Sequence, residues 1–208
     1  MAEKVRVAIL ISGRGSNMLA LSEYKRRDPS RAYEIVLVAS NVPEARGLVL
    51  AKRLGLPAWT LSHEGMARRD FDLKLDAALR DHGVELVALA GYMRLLSSEF
   101  VGRWAGRILN VHPSLLPAFP GVDAQRQALE HGVKVTGATV HLVTRELDGG
   151  PIVLQRAVPV RDDDTVESLS ARILAEEHRI YPDAIGLVLA GGWRVEGRRF
   201  RCPTDAAV

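Results

Sequence analysis

The sequence predicts an α/β protein: a mostly parallel, doubly wound sheet with an antiparallel extension near its C-terminal half. Three observations predict it. Apolar runs rich in β-branched residues alternate with longer amphipathic stretches up to about Pro113, the rhythm of parallel strands with covering helices. Leu86–Ala90 is apolar without a break, as a strand covered on both faces must be. Beyond Pro113 the pattern changes to alternation at Val135, Gly137, Thr139, His141 and Val143, which reads as a strand with two unlike faces.

Each element follows from its own residues. Val5–Ile11 is the first strand, and the turn residues Ser12–Asn17 lead into a helix from about Asn17 to Arg27. Ile35–Ala39 is the second strand, closed by Ser40-Asn41, and a helix follows across Ala45–Leu54 with Gly55 at its C-cap. Ala58–Leu61 is a short strand. Phe71, Leu75, Ala78 and Leu79 recur at helical spacing until His82-Gly83 stops them. Leu86–Ala90 and Ile108–Val111 are the next two strands. Val135–Val143 and Ile152–Val160 flank the turn-prone Leu-Asp-Gly-Gly-Pro and read as an antiparallel pair. Thr165 to about Leu189 is the longest helix, with a buried stripe at Leu169, Ile173 and Leu174 and an interruption at Pro182. Trp193–Arg201 is a terminal hairpin turning at Gly197. No repeat, low-complexity tract or Pro/Ser-rich linker divides the chain, so residues 1–208 read as one domain.

Composition narrows the function classes. A chain of this length buries roughly 70% of the surface its unfolded form exposes. With 47% apolar and 25% charged residues, disordered, collagen-like and disulfide-scaffold readings fail. The single cysteine, Cys202, closes no intrachain disulfide, and the histidines and acids show no metal-ligand spacing. Lys and Arg total 28 against 25 Asp and Glu, and much of the excess lies in Arg194, Arg198, Arg199 and Arg201. Aromatics are only 5%, with no basic block interleaved among them, so small anions suit the balance better than nucleic acid does. No run reaches the ~18 apolar residues of a membrane span, and no secretory signal core opens the chain. The expected setting is the cytoplasm, with no membrane.

Three motifs carry candidate chemistry. Ser12-Gly13-Arg14-Gly15-Ser16-Asn17 joins a strand to a helix, where glycines allow a tight turn and free amides hold an anion. Dinucleotide binding fails, because Met18 stands where the fingerprint needs its third glycine and Asn41 where it needs an acid. NAD is therefore not expected. The Walker pattern is absent too, which leaves a phosphate monoester site or a plain capped turn. Next, Asn110 and His112 end a buried strand, and residues i and i+2 project to one side. An amide donor beside an imidazole suits acyl transfer, although a strand-end histidine also serves as packing. Finally, Glu146-Leu147-Asp148-Gly149-Gly150 reads as a hairpin turn, or as a carboxylate folded over His112 that raises its pKa. His63, His82, His131, His141 and His178 read as solvated or packing residues, and Asp162-Asp163-Asp164 as a solvated lead into a helix.

Taken together, these motifs resemble the phosphoribosylglycinamide formyltransferase family of folate-dependent enzymes. The likeness runs from Val5 to about Leu189. It rests on segments 11–17, 89–96 (Leu-Ala-Gly-Tyr-Met-Arg-Leu-Leu), 108–117 (Ile-Leu-Asn-Val-His-Pro-Ser-Leu-Leu-Pro) and 137–152. The resemblance implies a Rossmann-like formyltransferase fold, and transfer of a formyl group from the co-substrate 10-formyltetrahydrofolate to the amine of glycinamide ribonucleotide, without a metal. It implies Asn110, His112 and Asp148 as catalytic, with a protonated His112 and Asn110 stabilising an oxyanion and Asp148 supporting the cation. Gly15, Ser16 and Asn17 are implied at the ribonucleotide phosphate and Glu177 at its sugar end. The implied folate side is Arg68, Met93, Arg94, Leu95, Leu96, Thr144, Arg145, Glu146, Leu147 and Asp148. Some members carry His-x-His after the Pro-Gly matching Pro120-Gly121; here Asp123-Ala124-Gln125 stands instead, and no role follows for it. The implied assembly is a monomer or homodimer acting on small molecules. Two rivals are a formyl-folate hydrolase and a nucleotide- or RNA-binding module using the basic tail.

Overall fold

The computed structural model describes residues Lys4–Pro203, which divide into two compact units at the junction of Leu109 and Asn110. The first unit runs β1 (Val5–Ile11), α1 (Ser16–Arg27), β2 (Tyr33–Ser40), α2 (Arg46–Arg53), β3 (Ala58–Thr60), α3 (Arg68–Asp81), β4 (Leu86–Leu89) and α4 (Ser98–Arg103), and opens β5 (Ile108–His112). β1 pairs in parallel with β2 on one side, Val5 opposite Tyr33, and with β4 on the other, Val7 opposite Leu86. The order β3-β2-β1-β4 means that the chain steps outward twice and then returns to the far side of β1. Ligands of open α/β sheets bind at the carboxyl ends of strands beside such a reversal. Two segments leave those ends, one after β1 and one after β4, and the Ser12 amide ties them by donating to the Gly91 carbonyl at 3.1 Å.

The second unit completes β5 and continues through α5 (Ala124–Glu130), β6 (Val135–Leu142), β7 (Ile152–Pro159), α6 (Val166–Ala190), β8 (Arg194–Glu196) and β9 (Arg199–Arg201). β6 and β7 are antiparallel, Val135 opposite Pro159, as the alternation predicts. β9 then runs parallel to β7 and antiparallel to β8. The α/β class, the mostly parallel sheet and the antiparallel C-terminal strands thus stand as predicted. α6 packs on β6 and β7 and buries Leu169, Ile173, Tyr181 and Ile185, while Leu174 is only half-buried.

Two expectations need correction, and two short helices add to the predicted elements. α6 is not interrupted: it runs unbroken through Pro182. An interior proline costs about 3 kcal/mol, but each large apolar side chain that the helix buries offsets about 1.5–3 kcal/mol, so packing wins. Asp164 is not solvated; its carboxylate is ion-paired with Arg172, which holds it far below the usual carboxylate range. Beside it, Thr165 and Ser168 form a reciprocal capping box at the start of α6. α4 and α5, six and seven residues long, were outside the sequence reading altogether. Among the described residues no helix is long and apolar enough to cross a membrane.

Candidate active site

The second unit gathers four polar side chains at the carboxyl end of β5. Asn110 and His112 leave that strand, His141 leaves β6, and Asp148 comes from the connection between β6 and β7. Asp148 Oδ2 lies 3.5 Å from His112 Nδ1, and Oδ1 lies 3.6 Å from His141 Nε2. Oδ2 also accepts the Gly121 amide at 2.7 Å. Asn110 Nδ2 approaches His141 Nε2 at 3.2 Å. The side chains of His112, Asp148 and His141 are 5%, 8% and 2% exposed, so these charges and dipoles act with little screening by water.

Backbone acceptors set the ring tautomers. A carbonyl can only accept, so His112 Nε2–H donates to Phe119 O at 2.8 Å, and His141 Nδ1–H donates to Leu142 O at 3.0 Å. His141 Nε2 is then left to accept from Asn110, and His112 Nδ1 is left facing the Asp148 carboxylate. The segment carrying Phe119 is itself pinned. Thr139 Oγ1 donates to Ser114 O at 2.7 Å and accepts from the Leu116 amide at 3.1 Å, and Gln155 Nε2 donates to Leu116 O at 2.8 Å. Asp148 adopts φ 50, a left-handed conformation that Asp and Asn tolerate better than most residues. Gly150 is fixed by close approach: a Cβ there would run into the Leu142 carbonyl.

Electrostatics describes the cluster at rest. Burial is the largest influence on His112 and pushes its pKa below the ordinary imidazole value; the Phe119 carbonyl and Asp148 pull it up but do not prevail. At rest near neutral pH the imidazole is therefore mostly neutral. Burial is also the largest influence on Asp148 and pushes it up, yet the Gly121 amide, together with a proton on the facing nitrogen of His141 or His112, holds it below the usual carboxylate range. The cluster is therefore an anionic carboxylate between two imidazoles. A proton arriving at His112 Nδ1 would replace a lone-pair contact with an ion pair.

The first unit holds the other candidates. Gly15 caps α1 at φ 78; no side chain caps that helix, and its own first turn contributes no acid at its leading amides. Ser16 and Asn17 begin the helix, with Asn17 buried. A Cβ on Gly15 would stand 2.7 Å from Gly47 Cα, and Gly47 N–H donates to Gly13 O at 2.9 Å. Gly15 is thus required by the fit of two backbones as well as by any ligand. Gly15→Val is expected to lower the thermal midpoint, since a β-branched residue at positive φ costs about 1–3 kcal/mol before the clash is counted. Gly13→Ala meets nothing within 4 Å and should leave the midpoint unchanged, so it isolates ligand effects in a thermal scan paired with kinetics.

On the β4 side, the Met93 amide donates to Ser12 Oγ at 2.8 Å, and Ser12 Oγ donates to Asn41 Oδ1 at 2.5 Å. Arg94 donates to Met66 O at 3.2 Å and lies 5.2 Å from the Phe71 ring centroid. The Asp72 carboxyl is 2% exposed and accepts the Ser97 amide at 2.6 Å; burial raises its pKa although Ser97, Arg94 and Arg68 oppose it. Met93 and Leu95 are 73% and 52% exposed, and in the second unit Leu147 is 56% exposed. Arg68, Thr144, Arg145 and Glu146 are exposed, Leu96 is half-buried, and Glu177 is buried in α6.

The second unit brings His112 and Asp148 into contact and joins Asn110 to them through His141. His141 and the Gly121 amide were missed. A histidine at a buried position of an alternating strand carries no local mark of function, and a backbone amide carries none at all. Gly47 was missed for the same reason, since only the fold brings it to Gly15. No group of three or more His, Cys, Asp or Glu among the described residues is arranged to hold a metal ion.

Comparison with known proteins shows the family. Residues 5–185 match the family described as formyl transferase. The trifunctional purine biosynthetic protein adenosine-3 of Gallus gallus is 49% identical over 193 residues, covering 92% of this chain and 19% of the relative, so the chain spans about a fifth of that protein. The phosphoribosylglycinamide formyltransferase of Escherichia coli (strain K12) is 40% identical over 195 residues, covering 93% of this chain and 89% of the relative. The crystal structure of glycinamide ribonucleotide transformylase 1 from Symbiobacterium toebii superposes with a TM-score of 0.93 at 50% identity, covering 97% of this chain and 95% of that one.

Proposed function

The chain belongs to the formyl transferase family, and on that premise we propose that Asn110, His112 and Asp148 carry its chemistry. The reaction is transfer of the formyl group of 10-formyltetrahydrofolate to the amine of glycinamide ribonucleotide, a step of purine biosynthesis. What carries the assignment of residues is the buried cluster at the end of β5, where a neutral imidazole meets an ionised carboxylate.

The steps follow from those atoms. The neutral amine attacks the formyl carbon, a C–N bond forms, and negative charge grows on the formyl oxygen. The Asn110 amide donates to that oxygen, exchanging its contact with His141 for a stronger, charge-assisted one. The nitrogen sheds a proton, which His112 Nδ1 takes directly or through water. The imidazolium is held by Asp148 and the Phe119 carbonyl. The bond to the folate nitrogen then breaks, and His112 returns its proton to that leaving group.

In this reading the amides at Gly15, Ser16 and Asn17 hold the ribonucleotide phosphate, and Glu177 meets its sugar. Arg68 and Arg94, the apolar Met93, Leu95 and Leu96, and the 144–148 loop serve the folate. The partners are these two small molecules, and a single cysteine suits the reducing cytoplasm. One family match runs through residues 109 and 110, which supports treating the chain as one functional domain.

The test is a paired assay of formylated ribonucleotide and of free formate. Product should form only when glycinamide ribonucleotide is present, with negligible formate. Formate release at the same rate without the amine would identify a hydrolase and overturn the reading.

A further inference from the structure

We propose that Ser12 is a positioning residue that couples the loop after β1 to the segment after β4, so that a phosphate bound at the first tightens folate at the second. The inference rests on the two substrate assignments above. The Ser12 hydroxyl joins the ends of three strands: β1, which it follows, β2 through Asn41, and β4 through Met93. An amide can only donate, so the Ser12 oxygen accepts the Met93 N–H at 2.8 Å, and its own proton goes to Asn41 Oδ1 at 2.5 Å. The Ser12 amide donates in turn to the Gly91 carbonyl at 3.1 Å. One residue therefore holds both sides of the Gly91–Met93 turn.

Packing holds that turn weakly. Gly91 takes φ 73, in the left-handed region, and the side chains of Met93 and Leu95 are largely exposed. The restraint comes from hydrogen bonds, those to Ser12 and the one from Arg94 to Met66 O. Asn41, by contrast, is a buried anchor. It is 2% exposed, and its carbonyl accepts the His63 amide at 3.3 Å and His63 Nδ1–H at 2.8 Å. The residue that stands where a dinucleotide site needs an acid thus has a use here: uncharged, it takes the serine proton at a position where burying a carboxylate would be costly. Ser12 sits between this anchor and two exposed segments, each assigned to a different substrate.

Coupling follows from shared ordering. A phosphate on the amides at Gly15, Ser16 and Asn17 restrains the loop, and with it Ser12 at the head of that loop. The restrained hydroxyl fixes the Met93 amide, so a folate meeting residues 93–96 has less disorder left to remove. By linkage the effect is reciprocal, and folate tightens the phosphate site by the same factor.

The experiment measures the Kd of tetrahydrofolate by calorimetry, with and without saturating ribose 5-phosphate. Tetrahydrofolate carries no formyl group, so nothing turns over. Ribose 5-phosphate carries no glycinamide, so the two ligands share no contact at the reacting atoms. In the wild type ribose 5-phosphate should tighten tetrahydrofolate about fivefold, the lower end for coupled sites. Ser12→Ala should abolish the tightening, and Ser12→Thr, which keeps the hydroxyl, should retain most of it. Amide exchange at Met93 in the wild type, followed by NMR, should slow when ribose 5-phosphate binds. A wild-type Kd or a Met93 exchange rate indifferent to ribose 5-phosphate overturns the proposal, and the exchange rate decides even where Ser12→Ala does not fold. An alanine variant that loses affinity for both ligands while keeping the coupling factor overturns it too, because that is how a merely structural serine behaves. If ribose 5-phosphate fails to displace glycinamide ribonucleotide, or tetrahydrofolate fails to bind, the substrate assignments themselves fall, and this proposal with them.

Discussion

Asp148→Asn is expected to lower kcat by about 10²–10³-fold, the scale for removing one preorganised electrostatic partner, with little change in either KM. Asparagine keeps the shape, tolerates φ 50 and still offers an oxygen to the Gly121 amide, so the loop should hold. What disappears is the charge that stabilises a protonated His112. The sign of the pH effect follows. Asp148 pulls the His112 pKa upward, so its loss moves that pKa further below the ordinary 6.5. The acid limb of kcat, measured with both substrates saturating, should shift to lower pH while the plateau drops. A limb that stays in place would mean that Asp148 does not act through His112.

Asn110→Ala should reduce kcat by a similar factor, about 10²–10³-fold, through loss of the oxyanion donor. Its signature differs from that of Asp148→Asn. Asn110 is not among the groups that shift His112, so the acid limb of kcat should stay where it is. Ribonucleotide KM should be nearly unchanged, because the phosphate is assigned to the loop after β1. Equal losses in kcat and in ribonucleotide affinity would assign Asn110 to ground-state binding instead.

The two variants also show why some of this was legible in the sequence. Asn110 stood out as a polar residue inside the apolar run Ile108–Val111, and His112 followed at strand spacing. Asp148 needed the fold, because a carboxylate in an Asp-Gly turn looks the same whether or not it folds over an imidazole. His141 shows the limit from the other side: its alternating strand was read correctly, yet its 3.6 Å approach to Asp148 depends on how β6 and β7 are joined. The long elements came through because periodicity accumulates over many residues, whereas α4 and α5 are too short to display it. Pro182 misled because a local breaker was weighed without the burial that its helix gains. The lowered pKa of His112 was not legible, because attraction to Asp148 can be guessed from sequence while the desolvation that opposes it cannot.

Direct titration of the His112 imidazole by NMR, in the wild type and in Asp148→Asn, bears hardest on the whole account. A midpoint below 6.5 in the wild type, lower still in the variant, with the acid limb of kcat following it, is the predicted result. A midpoint at or above 6.5, or a limb that ignores the imidazole, would contradict a neutral buried His112 as the group that takes the proton.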